Sequence, residues 1–92
     1  MKAAETERLI RQWFEEYGHI VQRTLRSYGI WMKEDQEELE LDVFSTAFLA
    51  LQRGETIDAP RAWLKECARR HASTSRTRQR RRALLRETEV FL

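Results

Sequence analysis

The sequence has few of the residues that several common structural classes require. A single cysteine, Cys67, excludes an intramolecular disulfide and a metal site built from several cysteines. Three glycines and one proline among 92 residues argue against a sheet with many tight turns. No stretch approaches the roughly 20 apolar residues of a membrane-spanning helix, and the N-terminus has no apolar signal region. We therefore expect one small helical domain, located in the cytoplasm.

Charged residues are abundant and unevenly distributed. They make up 35% of the chain, yet the net charge is only +2. Residues 34–42 contain six acids and no base, whereas residues 69–82 contain seven arginines and no acid. The acidic segment would attract a basic protein surface and the basic segment would attract phosphate. In the alternative interpretation, the two segments neutralise each other within or between molecules.

The first two helical segments are predicted from apolar residues that recur every three or four positions. Helix one is capped near Thr6 and ends at Gly29. Helix two begins near Asp35, the predicted cap, which forms a capping-box pattern with Glu38, and it ends at Gly54. The core positions on these helices are Leu9, Ile10, Trp13, Phe14, Tyr17, Ile20, Val21, Leu25, Tyr28, Leu39, Val43, Phe44, Ala47, Phe48 and Leu51.

The third helical segment follows an N-cap at Asp58, with Pro60 in its first turn. Its apolar arc passes through Leu64, Cys67, Ala68, His71, Ala72 and Ser75. The basic segment continues this helix, which we expect to fray or bend near Ser73–Ser75. We assign residues 1–82 to the domain and residues 83–92 to a C-terminal tail or the start of a linker.

Helix two has a polar stripe that faces away from its apolar side. Glu38, Asp42, Ser45 and Leu49 share this stripe, and Leu41 flanks it. Leucines that are buried on docking would add apolar contact, so the stripe is a candidate protein-binding surface. The alternative is two isolated surface leucines, which are common in globular proteins.

Helix three has a cationic side opposite its apolar arc. That side carries Lys65, Arg69, Arg76 and Arg80. Packing on one side and positive charge on the other suit a phosphate backbone, and backbone amides of the preceding loop could also approach nucleic acid. Trp63, at the helix start, is either a core residue or a stacking residue for an unpaired base.

No catalytic or metal-binding arrangement is evident. His19 and His71 lie far apart, and the serines and threonines of residues 73–77 have no positioned base. We expect neither enzymatic activity nor a cofactor.

Three segments together resemble region 2 of bacterial sigma factors of the extracytoplasmic-function type, a branch of the sigma-70 family. "WFEEYGHIVQRTLRSYG" is similar to the opening helix of that region. "QEELELDVFSTAFLAL" resembles its "EDLVQDVFLRAW" helix, and "APRAWLKECARRHA" resembles its "FRAWLYRIARNLA" helix. Order and spacing agree over about residues 9–82. The resemblance implies an all-α, three- to four-helix bundle.

The resemblance also implies a transcription-initiation function. Such domains bind the clamp helices of the largest subunit of core RNA polymerase. They also recognise and melt the −10 promoter element, capturing bases of the non-template strand. The implied polymerase-binding residues are Glu38, Leu41, Asp42, Ser45 and Leu49. The DNA-binding residues predicted from the resemblance and the basic stripe are Gly54, Glu55, Thr56, Ile57, Asp58, Arg61, Trp63, Lys65, Arg69, Arg70, Arg76 and Arg80.

The chain departs from the family pattern in places that bear on function. Leu41 replaces a glutamine that commonly helps to bind polymerase, and Arg70 replaces an asparagine that reads a base. We find no segment for the second, helix-turn-helix domain that such proteins usually carry.

An anti-sigma factor is a further candidate partner. The alternative functions are a sigma-like protein-interaction or regulatory domain that has lost promoter reading, and a bundle that binds RNA or anionic surfaces.

Overall fold

The chain forms a bundle of three helices. A computed structural model describes residues 2–91, and it describes the side chains of residues 2–86. Within this range the helices are α1 (Ala3–Ser27), α2 (Lys33–Gln52) and α3 (Pro60–Phe91), with no strand. Each helix packs against the other two, which confirms the predicted small all-α bundle. None of the described helices has both the length and the apolar character required to cross a membrane.

The two predicted glycine stops are confirmed. Gly29 has a φ of 90° and its amide donates to the carbonyl of Arg26 (3.0 Å), while the amide of Ile30 donates to the carbonyl of Leu25 (3.0 Å). Gly54, with a φ of 85°, ends α2 with the same pair of bonds. Glycine adopts this left-handed conformation without a Cβ clash, so these two positions fix where the chain leaves each helix.

The predicted N-caps of α1 and α2 are wrong. Lys2 is the N-cap of α1, and Thr6 lies inside the helix with its hydroxyl donating to the Lys2 carbonyl (3.2 Å). In α2 the carbonyl of Met32 already accepts a bond from the amide of Gln36 (2.9 Å). Asp35 therefore lies in the first turn and makes no capping hydrogen bond. The negative charge of Asp35 still interacts favourably with the positive end of the helix dipole.

The start of α3 is displaced by one residue from the prediction. The carbonyl of Ala59 accepts the first helical bond, from the amide of Trp63 at 3.0 Å, so Ala59 takes the cap position predicted for Asp58. Pro60 is the first helical residue, so it lies in the first turn as predicted. Proline suits this position because its missing N–H would have no intrahelical partner there.

α3 is continuous through Ser73–Ser75, so the predicted fraying is wrong. The hydroxyl of Thr74 donates to the carbonyl of Arg70 (3.0 Å), and that of Thr77 donates to the carbonyl of Ser73 (3.1 Å). Threonine hydroxyls can also hydrogen-bond the backbone in non-helical conformations, which would interrupt a helix. Here both hydroxyls bond to the preceding turn of α3, so the helix continues.

The second half of α3 projects from the bundle. Among the described side chains Ala72 is the last buried one of α3, and of the side chains in residues 73–86 only that of Ser75 is even half-buried. The molecule measures 53 × 24 × 19 Å along its principal axes, and a helix of 32 residues spans about 48 Å. The tail predicted at residues 83–92 continues this helix through Phe91. Its side chains beyond residue 86 lie outside the described residues.

All three helices contribute to one apolar core. The buried members of this cluster are Trp13, Val21, Leu25, Ile30, Leu39, Val43, Phe44, Ala47, Leu51, Leu64, Cys67, Ala68 and Ala72. A polar link between α1 and α2 accompanies the core, since the buried carboxylate of Glu40 accepts a hydrogen bond from Gln22 (3.0 Å). A Cβ on Gly18 would lie 3.3 Å from the other carboxylate oxygen of Glu40, which is closer than an ordinary van der Waals contact. Glycine at this position therefore allows the Glu40 carboxylate to lie against α1.

Candidate nucleic-acid and protein interfaces

The loop that precedes α3 rests on the bundle through Ile57. This side chain is half-buried and packs against the core, whereas the rest of the predicted DNA-binding loop, Gly54–Asp58, is exposed. Glu55 pairs with Arg53 across 3.5 Å. Ile57 is thus a packing residue of the loop, and the groups free to approach DNA are its backbone and its polar side chains.

The first turns of α3 present two exposed cationic side chains and one partly covered indole. Arg61 and Lys65 are exposed. Trp63 is half-buried, packs against the core, and lines a pocket of about 270 Å³ with Cys67 and His71. Trp63 therefore belongs mainly to the edge of the core, with part of its ring left accessible.

Glu66 partly neutralises two of the predicted DNA-binding arginines. Its carboxylate accepts two hydrogen bonds from Arg69, one of them at 3.0 Å from Nε, and lies 3.4 Å from Nε of Arg70. The hydrogen bond from Arg69, assisted by the charges of both arginines, lowers the pKa of the Glu66 carboxyl. Because Glu66 is ionised near neutral pH, the positive field of α3 is weakened at Arg69 and Arg70.

Farther along α3, Arg76 and Arg80 lie on the same side of the helix. Together with Ser73 and Thr77 they line an open concavity of about 220 Å³. Both arginines are exposed, and the described residues offer neither of them an acidic partner within ion-pair distance. Two guanidinium groups one helical turn apart suit successive phosphates of a nucleic-acid strand.

Arg78 and Arg82 lie on another side of α3, facing acids. They line a polar groove of about 450 Å³ between α2 and α3. Its opposite wall carries the carboxylates of Asp35, Glu38 and Asp42. Among the described residues no ion pair closes this groove. The acids nevertheless lower the positive potential there, because charges within about 10 Å are only partly screened at 0.1 M salt.

The predicted protein-binding stripe of α2 is exposed but divides between two grooves. Glu38 and Asp42 border the polar groove beside α3. Leu41, Ser45 and Leu49 instead line a mainly apolar groove of about 610 Å³ between α1 and α2. Leu41 and Leu49 are 64% and 56% exposed, so they are part of a larger apolar surface rather than isolated leucines.

This apolar groove includes aromatic residues that the sequence predicts as core. Phe14 is 45% exposed, and its ring contacts that of Phe44 with centroids 5.1 Å apart. Phe48 is half-buried and also lines the groove. The apolar arc of α1 is broader than the surface that α2 and α3 cover. That breadth was the available sequence signal for an exposed apolar face.

Cys67 and His71 border the same pocket as Trp63. Burial raises the pKa of the Cys67 thiol, which opposes formation of the thiolate. His71 lies 3.1 Å from the hydroxyl of Thr46 in a hydrogen bond between α3 and α2. The described residues contain no group of three or more histidine, cysteine or acidic side chains that could hold a metal ion.

No protein-family model, curated protein or solved structure matches the chain. Inferences about its function therefore come from its own surfaces and from the motif resemblance.

Proposed function

We propose that the chain is a non-enzymatic transcription-initiation module that binds core RNA polymerase and the −10 promoter element in the cytoplasm. The observation that carries the proposal is the pair of exposed surfaces of opposite character on α2 and α3. An apolar and acidic surface on α2 suits a protein partner, while the arginines of α3 suit a phosphate backbone. A domain that joins polymerase to DNA needs both surfaces at once.

The α2 surface fits the clamp helices of the largest polymerase subunit. A partner that filled the apolar groove would cover Leu41 and Leu49. Basic residues of the same partner would meet Asp42, which borders the neighbouring polar groove. Leu41 stands where the resembling family commonly has glutamine, so apolar contact would replace a hydrogen bond at this position.

The α3 surface fits the promoter strand. Arg76 and Arg80 would hold phosphates, while the polar groups of Gly54–Asp58 and the accessible part of Trp63 would contact the melted bases. Phosphate contacts set affinity and position, whereas base contacts set sequence preference. Melting would follow from capturing unpaired bases of the non-template strand.

Replacing Asp42 with arginine is expected to weaken binding to a purified clamp-helix fragment by about tenfold, because like charges would meet at the interface. Titration calorimetry of the two proteins would measure this change. Glu5→Arg, an equal charge change at an exposed site in the first turn of α1, should leave the affinity unchanged. Equal affinities of the Asp42→Arg variant and the unaltered chain would contradict the polymerase surface.

The chain is also expected to bind single-stranded −10-like DNA about ten times more tightly than scrambled DNA of equal length, since a wrong base typically costs 1–3 kcal/mol. Fluorescence anisotropy at several salt concentrations would separate this preference from phosphate attraction. Equal affinity for both strands with a steep salt dependence would contradict promoter reading.

The second candidate is a sigma-like regulatory domain that binds a protein and has lost promoter reading. The neutralisation of Arg69 and Arg70 by Glu66 favours it, because it weakens the DNA-facing charge. Clamp binding without any preference for the −10 sequence would support this second function.

A further inference from the structure

The turn between α1 and α2 exposes an unusually large apolar side chain. Trp31 is 74% exposed and the adjacent Met32 is 63% exposed. The other two tryptophans, Trp13 and Trp63, are buried and half-buried. An indole that is mostly exposed stabilises the core very little. Packing within this bundle therefore does not explain why a tryptophan occupies position 31.

The backbone that carries Trp31 is held firmly in place. The preceding residue, Ile30, is buried, and its amide donates to the carbonyl of Leu25 at 3.0 Å. The side-chain amide of Gln36 donates to the carbonyl of Ile30 at 2.9 Å and to that of Trp31 at 3.4 Å. Little backbone entropy would therefore be lost when a ligand contacts the indole.

At Gly29 the same turn comes close to Arg76, in the arginine-rich part of α3. A Cβ on Gly29 would lie 3.9 Å from Nε of Arg76. On the other side of Trp31, Asp35 borders the groove that contains Arg78 and Arg82. Trp31 lies between these two points of the chain, with its Cα within about 7 Å of that of Gly29. The exposed indole is thus carried by a turn whose two ends adjoin arginine-bearing parts of α3.

We propose that Trp31 stacks on an unpaired base of single-stranded nucleic acid whose phosphates lie along Arg76 and its neighbours. Proteins that bind single strands combine these two features, a cationic track and an aromatic face that accepts any base. Bases inside a duplex are already stacked on one another, so the ligand is a single strand or a melted region. This inference rests on the nucleic-acid half of the proposed function, but it requires neither polymerase nor a promoter sequence.

The test measures binding to an oligothymidylate of about 12 nucleotides by fluorescence anisotropy. Trp31→Ala is expected to lower the affinity about tenfold, and Trp31→Phe to retain most of it. Met32→Ala is the matched control, because it removes a neighbouring exposed apolar side chain without removing an aromatic ring. We expect its affinity to equal that of the unaltered chain.

An abasic oligonucleotide of the same length separates stacking from charge. It carries the phosphates but no bases, so Trp31→Ala should bind it as the unaltered chain does. A blunt-ended duplex should likewise show no difference. Unchanged oligothymidylate affinity in Trp31→Ala would overturn the proposal, and so would an equal loss on the abasic strand. Far-UV circular dichroism of each variant would verify its helical fold.

The outcome is distinguishable from that of the proposed function. If the chain binds −10-like and scrambled DNA equally but Trp31→Ala still weakens oligothymidylate binding, only promoter reading is overturned. If the chain prefers −10-like DNA but Trp31→Ala leaves oligothymidylate binding unchanged, only the stacking role of Trp31 is overturned. A Trp31→Ala defect in binding the clamp-helix fragment, with unchanged oligothymidylate binding, would overturn the stacking role and assign Trp31 to a protein contact.

Discussion

Replacing Leu64 with alanine is expected to lower the free energy of unfolding by about 3 kcal/mol. Leu64 is fully buried in the core, and the other buried side chains in the described part of α3 are the smaller Cys67, Ala68 and Ala72. Leu64 therefore supplies much of the apolar contact that attaches α3 to the bundle. Its loss removes buried methyl groups and leaves a cavity, and both effects destabilise the fold.

Urea unfolding followed by circular dichroism would measure this loss. A domain of this length has a total stability of about 5–14 kcal/mol, so the variant should unfold at clearly lower urea. Leu49→Ala is the matched control because Leu49 is 56% exposed, and we expect it to change the stability by less than about 0.5 kcal/mol. Equal effects of the two substitutions would contradict the described packing of α3.

The helices and their ends at glycine could be predicted from the sequence because these features are local. Apolar residues at three- and four-residue spacing identify a helical face without knowledge of its neighbours. Gly29 and Gly54 adopt a backbone conformation that other residues rarely accept. Both signals operate within a few residues and change little with tertiary context.

The helix starts were predicted less well because several nearby residues can serve as caps. Asp35 and Asp58 are good cap residues by type, yet Met32 and Ala59 occupy those positions. In α2 the side chain of Gln36 bonds back to the preceding turn. The chain therefore enters the helix before Asp35 is reached.

The burial of Glu40 shows what a single helix face does not reveal. Its neighbours in sequence are acidic or apolar, and nothing local indicates that its carboxylate is covered. Burial depends on Gly18 and Gln22, which lie on a different helix. Contacts between helices also decide that Phe14 remains partly exposed, although its spacing predicts a core residue.

Contacts between helices, which a single helix's sequence does not reveal, also determine the candidate sites. The acidic and basic segments are obvious in the sequence, but their mutual arrangement depends on how α2 and α3 pack. Helical periodicity already places Arg76 and Arg80 on the cationic side of α3, but only the structure shows that Arg78 and Arg82 face acids of α2. Trp31 was not assigned from sequence because its turn contacts α3 far away in the chain.

Replacing Arg76 and Arg80 together with alanine is expected to lower the affinity for single-stranded DNA about 25-fold at 0.1 M salt. Each phosphate contact on a single strand contributes about 0.7 to the slope of log affinity against log salt concentration, so two contacts contribute about 1.4. Over the tenfold interval from 1 M salt, where we take these contacts to contribute nothing, to 0.1 M, that slope amounts to about 25-fold. Anisotropy titrations over a range of salt concentrations would measure the affinity and its slope. Alanine favours helix, so α3 should remain formed in the variant.

The double variant of Arg78 and Arg82 is the matched control, because it removes the same charge from the same helix. We expect it to lose only a few-fold in affinity, since acids of α2 already oppose these two guanidinium groups. Its salt slope should fall by less than that of the Arg76 and Arg80 variant. Equal losses in both double variants would mean that α3 attracts DNA through its total charge. A larger loss in the Arg76 and Arg80 variant would locate the phosphate track on the side of α3 away from the acids of α2.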